Sequence, residues 1–331
     1  MKKIFVFIFL FFFSASLFAD QLIIEPDAGR APLLSALSNA HEIDLITYGL
    51  TDETFINALI HAKKSGKTVH VLIERAPYKS ENENIAAINQ LRAANIDVTE
   101  GNPAFKFTHQ KTFIFDNSRA FVMTFNLTHS TFQNERNFAL LITDPAEINE
   151  IKNIFSADVL RKSITPSNPN LIWSPDNSRE KILSALKNAH SHIEIYAENL
   201  NDYDIIGTLS ALARQGIEVK ILHSENQSYN KKFQYLQRAG VQLKQSKKLI
   251  IHAKVILIDN QLAVIGSINL TKNSLDHNRE LSVITHEREI IGILSREFNQ
   301  DWENATSRQY HSQYRNHYGH RHIHHYFYFR L

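Results

Sequence analysis

The feature that most limits what this chain can fold into is an internal repeat. Leu34-Ser35-Ala36-Leu37-Ser38-Asn39-Ala40-His41 returns as Leu183-Ser184-Ala185-Leu186-Lys187-Asn188-Ala189-His190. Each copy is followed by a strand-like stretch (42–50 and 192–200) and a helical pattern (54–64 and 205–214). A second short apolar stretch (68–73 and 217–222) and a second helical pattern (85–94 and 231–239) come next. Strands of alternating or continuous apolar character, separated by helical periodicity, predict an α/β fold. The expected architecture is two similar halves, each a mixed sheet flanked by helices, packed together as a pseudo-dimer. One half alone has little room for a core, whereas two docked halves bury more apolar surface and can form a site at their junction. The halves are expected at 20–165 and 171–305, divided by a Pro- and Asn-containing stretch at 163–170.

The repeat extends to residues that carry chemistry. His109-Gln110-Lys111, followed after four residues by Asp116, matches His252-Ala253-Lys254, followed after four residues by Asp259. On strand-like alternation His and Lys point to the same face, which brings an imidazole and an ammonium into one small volume suited to a phosphate. A second motif follows each Asp: Met123-Thr124-Phe125-Asn126 in the first half and Gly266-Ser267-Ile268-Asn269 in the second. A hydroxyl and an amide thus recur at matching positions. Glu135 and Glu280 lie further on, each near an Asn, and a carboxylate can hold an imidazole in one tautomer and raise its basicity.

His-x-Lys-x4-Asp followed by Gly-Ser-x-Asn resembles the signature of the phospholipase D superfamily, and here the pair of motifs occurs twice. The resemblance covers nearly the whole chain after its first residues. It implies a candidate catalytic set of His109, Lys111, Asp116, His252, Lys254 and Asp259. Lys111, Lys254, Asn126 and Asn269 would donate to the non-bridging phosphate oxygens, with Thr124 and Ser267 in support. His109 would attack phosphorus to give a phosphohistidine, and His252 would protonate the leaving oxygen. Glu135 and Glu280 would orient the two imidazoles, while Asp116 and Asp259 would hold lysine or backbone positions. Met123 departs from the family pattern, and its side chain is expected to crowd backbone where glycine permits close approach. No metal or other cofactor is required, since lysine and amide donors neutralise the phosphoryl charge, so activity is expected in chelator.

The resemblance leaves the phosphodiester open. The first expectation is a hydrolase acting on phospholipid of the phosphatidylcholine kind, with Phe105 and Phe107 as an apolar entry and peripheral contact with a membrane. The alternative is a metal-independent nuclease, with Lys106, Lys111, Lys244, Lys247 and Lys248 along a DNA or RNA strand. A phosphatidyl transferase ranks third. The formal net charge is only +2, and without Lys2 and Lys3 basic and acidic residues balance at 34 each, which weighs against a dedicated polyanion binder. The chain is expected to be a monomer containing its own pseudo-dimer.

The ends read differently from the body. Lys2 and Lys3, the apolar run 4–13 and the small residues Ser14, Ala15, Ser16 and Ala19 have the form of a secretory signal over 1–19. Export to a periplasm or the exterior is expected, with an uncleaved anchor as the variant. The segment 306–331 is rich in His and Tyr and reads as a solvated tail, with metal binding as the lesser reading.

Overall fold

A computed structural model describes residues 22–224 and 230–307. The signal-like segment 1–19 lies outside the described residues, as does the His-rich tail beyond residue 307. In chain order the first half contains β1 (Leu22–Glu25), α1 (Ala31–Asn39), β2 (Glu42–Thr47), α2 (Glu53–Lys64), β3 (Thr68–Ile73), α3 (Ile85–Ala93) and β4 (Asp97–Glu100). It continues with β5 (Thr112–Phe115), β6 (Arg119–Met123), α4 (Thr131–Asn134), β7 (Glu135–Ile142) and α5 (Pro145–Val159). The second half opens with β8 (Leu171–Ser174), α6 (Ser178–Lys187), β9 (His192–Ala197), α7 (Tyr203–Arg214), β10 (Glu218–Ser224) and α8 (Asn230–Arg238). It ends with β11 (Gln242–Ser246), β12 (Ile250–Ile251), β13 (Lys254–Ile258), β14 (Leu262–Gly266), α9 (Lys272–Asp276), β15 (Glu280–Thr285), α10 (Arg288–Glu303) and β16 (Thr306–Ser307).

The local signals that build these elements repeat between halves. Asp52 caps α2 by accepting from Thr54 N–H, and Asp202 caps α7 by accepting from Asp204 and Ile205 N–H. Phe55, Ile56, Leu59 and Ala62 of α2 are buried, and Ile205, Ile206, Leu209 and Leu212 of α7 are buried at the same spacing. Each half folds into a mixed sheet, ordered β1-β7-β6-β5-β2-β3-β4 and β16-β11-β10-β9-β13-β14-β15-β8. β2, β3 and β4 are parallel, as are β9, β10 and β11, while the motif strands β5 and β13 run antiparallel to β2 and β9.

Three cores hold the layers. One joins the first sheet to α1–α3, and one joins the second sheet to α6–α8. The third is shared: Val122, Phe138 and Leu140 of the first half pack in one cluster with Trp173, Tyr196, Ile265 and Phe298 of the second. The halves also exchange backbone. β12, from the second half, pairs with the start of β7 in the first sheet, and Thr108 forms the mirror-image bridge to Arg279. Two buried arginines sit at these crossings. Arg136 pairs with Asp27, Glu297 and Asp301, and Arg279 with Asp158 and Asp176.

Two expectations about the strands are corrected. The strand-like stretches do not run to Leu50 and Leu200. β2 and β9 stop at Thr47 and Ala197, because the chain then leaves the sheet to form isolated bridges, Leu50 to Leu127 and Leu200 to Leu270. The His-x-Lys segments are not regular strands either. β5 begins at Thr112 and β13 at Lys254, so both histidines precede the strand. Their backbone is held from the opposite half: His109 and Gln110 N–H donate to the Arg279 carbonyl, and His252 and Ala253 N–H donate to the Arg136 carbonyl.

Candidate active site

Each half-site is completed by the other half. His109 Nδ1 lies 2.8 Å from Glu280 Oε2, a carboxylate carried on β15. His252 Nδ1 lies 3.1 Å from Asn137 Oδ1 on β7. Lys254 Nζ crosses to donate to the Thr124 carbonyl at 2.9 Å. The lysines also turn back on their own segments: Lys111 Nζ donates to the His109 carbonyl at 2.7 Å and Lys254 Nζ to the His252 carbonyl at 2.5 Å. Both lysines and Glu280 are buried, and the two imidazoles are only 13% and 16% exposed, so the cluster sits in a partly dry pocket where charges act strongly.

Burial governs how these groups titrate. It pushes the Lys111 ammonium down to about 7, with the charge of Lys254 adding to the effect. Burial also lowers both imidazoles. His109 is depressed against the opposing pull of Glu280, and His252 falls to about 4 despite the Glu198 carboxylate. Both histidines are therefore neutral at rest near pH 7.

Glu135 does not orient His252 in the expected manner. Its carboxylate is 3.9 Å from His252 Nδ1 and instead accepts from Asn137 Nδ2 and Thr131 Oγ1. The register of the repeat explains this. Arg136 and Arg279 are counterparts at the two crossings, so the structural counterpart of Glu280 is Asn137, and that of Glu135 is Asn278. Asn278 in turn donates to Glu280 at 2.9 Å. The carboxylate and amide have exchanged places between the halves, so His109 Nδ1 meets a carboxylate, while His252 Nδ1 meets an amide oxygen and, at 3.2 Å, Lys254 Nζ.

Asp116 and Asp259, included in the expected catalytic set, lie at the far ends of their strands. Asp116 accepts from the N–H groups of His41 and Glu42, and Asp259 from those of His190, Ser191 and His192. They fasten the motif strands to β2 and β9, and among the described residues they make no hydrogen bond to the His–Lys cluster. The hydroxyls of Thr124 and Ser267, expected in support of the phosphate donors, are already engaged within the protein. Both are fully buried; the Thr124 hydroxyl donates to Asn137 Oδ1 and accepts from Phe138 N–H, and that of Ser267 is used by the Leu281 backbone.

Met123 does not crowd the first half-site. A Cβ at Gly266 would come within 2.3 Å of the Leu281 carbonyl oxygen and 2.4 Å of Ser282 Cα, so glycine is required in the second half. Met123 pairs with Ala139 where Gly266 pairs with Ser282, and its side chain is wholly buried in the first-half core.

Of the two expected amide donors, Asn269 Nδ2 donates to Glu198 Oε2 at 3.0 Å, while Asn126 packs beside Gly49 with a buried Oδ1 that lacks a partner among the described residues. Phe107 stands edge-on to Tyr48 at 5.9 Å, and Tyr48 to His109 at 4.5 Å, so an aromatic rim borders the first half-site. Phe105 instead lies against the Arg279 guanidinium. Lys106 donates to Asn273, whereas Lys244 is occupied by the Trp302 carbonyl on the far edge of the second sheet and does not face the cluster.

The sequence reading missed three residues, Tyr48, Asn137 and Glu198, and noted Asn278 only as a neighbour of Glu280 without its bond to that carboxylate. The repeat held the signal for all of them. Tyr48 and Glu198 each follow directly on a matching strand, and aligning the two buried arginines would have placed Asn137 opposite Glu280. Among the described residues, Glu42, Asp44 and His70 form a group with metal-ligand geometry, yet it lies away from the cluster and Lys152 already pairs with both carboxylates.

Comparison with known proteins agrees with this architecture. The family model described as "Cardiolipin synthase, PLD-like domain" matches residues 33–159 and 182–302. The chain belongs to this PLD-like family, within the phospholipase D superfamily. It is 28% identical to cardiolipin synthase 1 of Bacillus anthracis over 142 residues, which is 40% of this chain and 28% of that protein. It is 26% identical to polyphosphate kinase of Yersinia pestis over 187 residues, 52% of this chain and 27% of that protein. The chain thus spans little more than a quarter of the length of these relatives. Among solved structures, phosphatidylserine synthase of Haemophilus influenzae matches with a TM-score of 0.69 at 11% identity, covering 89% of each chain. That match shows a common fold across both halves.

Proposed function

We propose that this protein cleaves a phospholipid phosphodiester through a covalent phosphohistidine on His109. The observation that carries this reading is the 2.8 Å contact between His109 Nδ1 and Glu280. A carboxylate on one imidazole nitrogen fixes the tautomer so that the other nitrogen carries a lone pair, and it stabilises the cation formed on attack. His252 faces an amide and is the better proton donor once the bound phosphate raises its low basicity. The bond from His109 to phosphorus forms as the bond from phosphorus to the alcohol oxygen breaks, and His252 supplies the proton to that oxygen. In the second step His252 takes a proton from water as the oxygen attacks phosphorus, releasing His109.

The lipid reading is supported by the aromatic rim of Tyr48, Phe107 and the largely exposed Tyr78 beside His109. Phosphatidic acid and a free alcohol such as choline are the proposed products. Transfer to a second alcohol in place of water is the other reading, favoured by relatives named cardiolipin synthase. The export expected from residues 1–19 would place the enzyme beside envelope lipids and belongs to the same proposal.

The test offers phosphatidylcholine and phosphatidylethanolamine vesicles, with and without added glycerol, and single- and double-stranded DNA and RNA. Chelator is present throughout, and His109→Ala is the control. Headgroup release that the variant loses supports the hydrolase, and a glycerol adduct supports the transferase. Cleavage of nucleic acid with intact lipid would overturn the lipid reading.

A further inference from the structure

The two half-sites differ most in what faces their lysines. Tyr48 and Glu198 occupy equivalent places, each one residue beyond a central strand, at Thr47 in β2 and Ala197 in β9. Tyr48 presents its ring to Lys111, with Nζ 5.1 Å from the centroid, and its hydroxyl accepts from Tyr78 N–H. The Lys111 ammonium spends one hydrogen on the His109 carbonyl, and no other hydrogen-bond acceptor meets it among the described residues.

Lys254 is differently placed. Glu198 Oε2 lies 2.5 Å from Lys254 Nζ, 3.0 Å from Asn269 Nδ2 and 3.7 Å from His252 Nε2. With the Thr124 and His252 carbonyls, this contact gives the ammonium three oxygen acceptors, and His252 Nδ1 lies 3.2 Å away as well. One carboxylate oxygen therefore gathers three of the groups that the phosphodiester reading assigns to substrate. A carboxylate oxygen and a phosphoryl oxygen carry similar partial charge and accept the same hydrogen bonds.

We infer that Glu198 is a specificity-determining residue that stands in for a phosphate oxygen in the second half-site, where it competes with the oxyanion of substrate and product. The inference rests on the phosphodiester reading above. Substrate phosphate enters by displacing the carboxylate from Lys254 and Asn269, so each anion binds only with what remains after that exchange. The retained negative charge also weighs more heavily on a dianionic monoester than on a monoanionic diester. The site thereby favours the diester and loosens its hold on the phosphomonoester left after cleavage.

The experiment is isothermal titration of the full chain with inorganic phosphate and with diethyl phosphate, comparing wild type, Glu198→Gln and Glu198→Tyr. The second variant copies the first half-site, and thermal melting checks that each variant is folded. Glu198→Gln is expected to bind inorganic phosphate about tenfold or more tightly than wild type, with a smaller gain for diethyl phosphate. Glu135→Gln removes a nearby charge that lies 3.9 Å from His252 and does not touch Lys254, and its gain should be clearly smaller than that of Glu198→Gln. Equal affinity of wild type and both Glu198 variants would overturn the inference, as would an equal gain in Glu135→Gln. If no variant binds phosphate while all melt as folded proteins, the phosphodiester reading itself fails, a result distinct from binding that is merely insensitive to residue 198.

Discussion

At the scale of single residues the two histidines are unequal because a carboxylate and an amide have traded positions. Glu280 should matter through the basicity and tautomer of His109, as its geometry with Nδ1 implies. Glu280→Gln is therefore expected to lower kcat by about a hundredfold or more while KM changes little, measured by headgroup release. A fall in KM alone would remove its orienting role. Gly266 makes a different kind of demand. With Leu281 O at 2.3 Å from an added Cβ, β14 and β15 must part to admit even a methyl group. Gly266→Ala should cost about 1–3 kcal/mol, read as a lower urea midpoint with an unchanged slope. The same reasoning exempts position 123, where Ala139 faces the chain in place of a serine and the larger side chain becomes core.

At the scale of elements, the motif aspartates are fasteners. Asp259 has φ of 55°, in the left-handed region, and its carboxylate collects the N–H groups that open β9. Partial burial opposes its ionisation, but these N–H donors outweigh it and hold the carboxyl down to about 2, from 3.8. A depressed carboxylate contributes stability that is complete above the unfolded value near 3.8 and is lost as pH falls through about 2. Asp259→Ala should lower stability at pH 7 by about 1–3 kcal/mol and flatten the acid limb of the stability curve. Loss of activity at full stability would instead return Asp259 to the proposed catalytic set. The sequence motif groups His, Lys and Asp because one strand carries all three, although its two ends do different work.

At the scale of the whole molecule, the site exists only where the halves exchange backbone and side chains. The Arg136 and Arg279 carbonyls carry the opposing His segments, and each guanidinium is pinned by acids from both halves. Burying two neutral imidazoles at this junction links pH to stability. The unfolded chain titrates them near 6.5, whereas His252 in the folded chain binds its proton only near 4. The unfolded state thus takes up more protons between these values, and stability is expected to fall as pH drops from about 6.5 towards 4. His252→Gln should make the urea midpoint less sensitive to acid over that range. An unchanged pH slope would show that other groups govern acid unfolding.

The sequence alone determined the repeat, the α/β order of each half and the paired motifs, because these depend on local periodicity and on residue types at fixed spacing. The caps Asp52 and Asp202 and the buried faces of α2 and α7 are of the same kind. Partner choice across the junction was decided only by tertiary structure. Whether His252 meets Glu135 or Asn137 depends on which residues of β7 point across the junction, and two positions along a strand keep the same face but move the side chain by nearly 7 Å. Glu198 is equally invisible as a site residue until β9 ends beside Lys254 and its carboxylate finds two donors, Lys254 and Asn269, converging on it with His252 alongside, since long-range pairing of charges follows from the fold and leaves no local pattern in the chain.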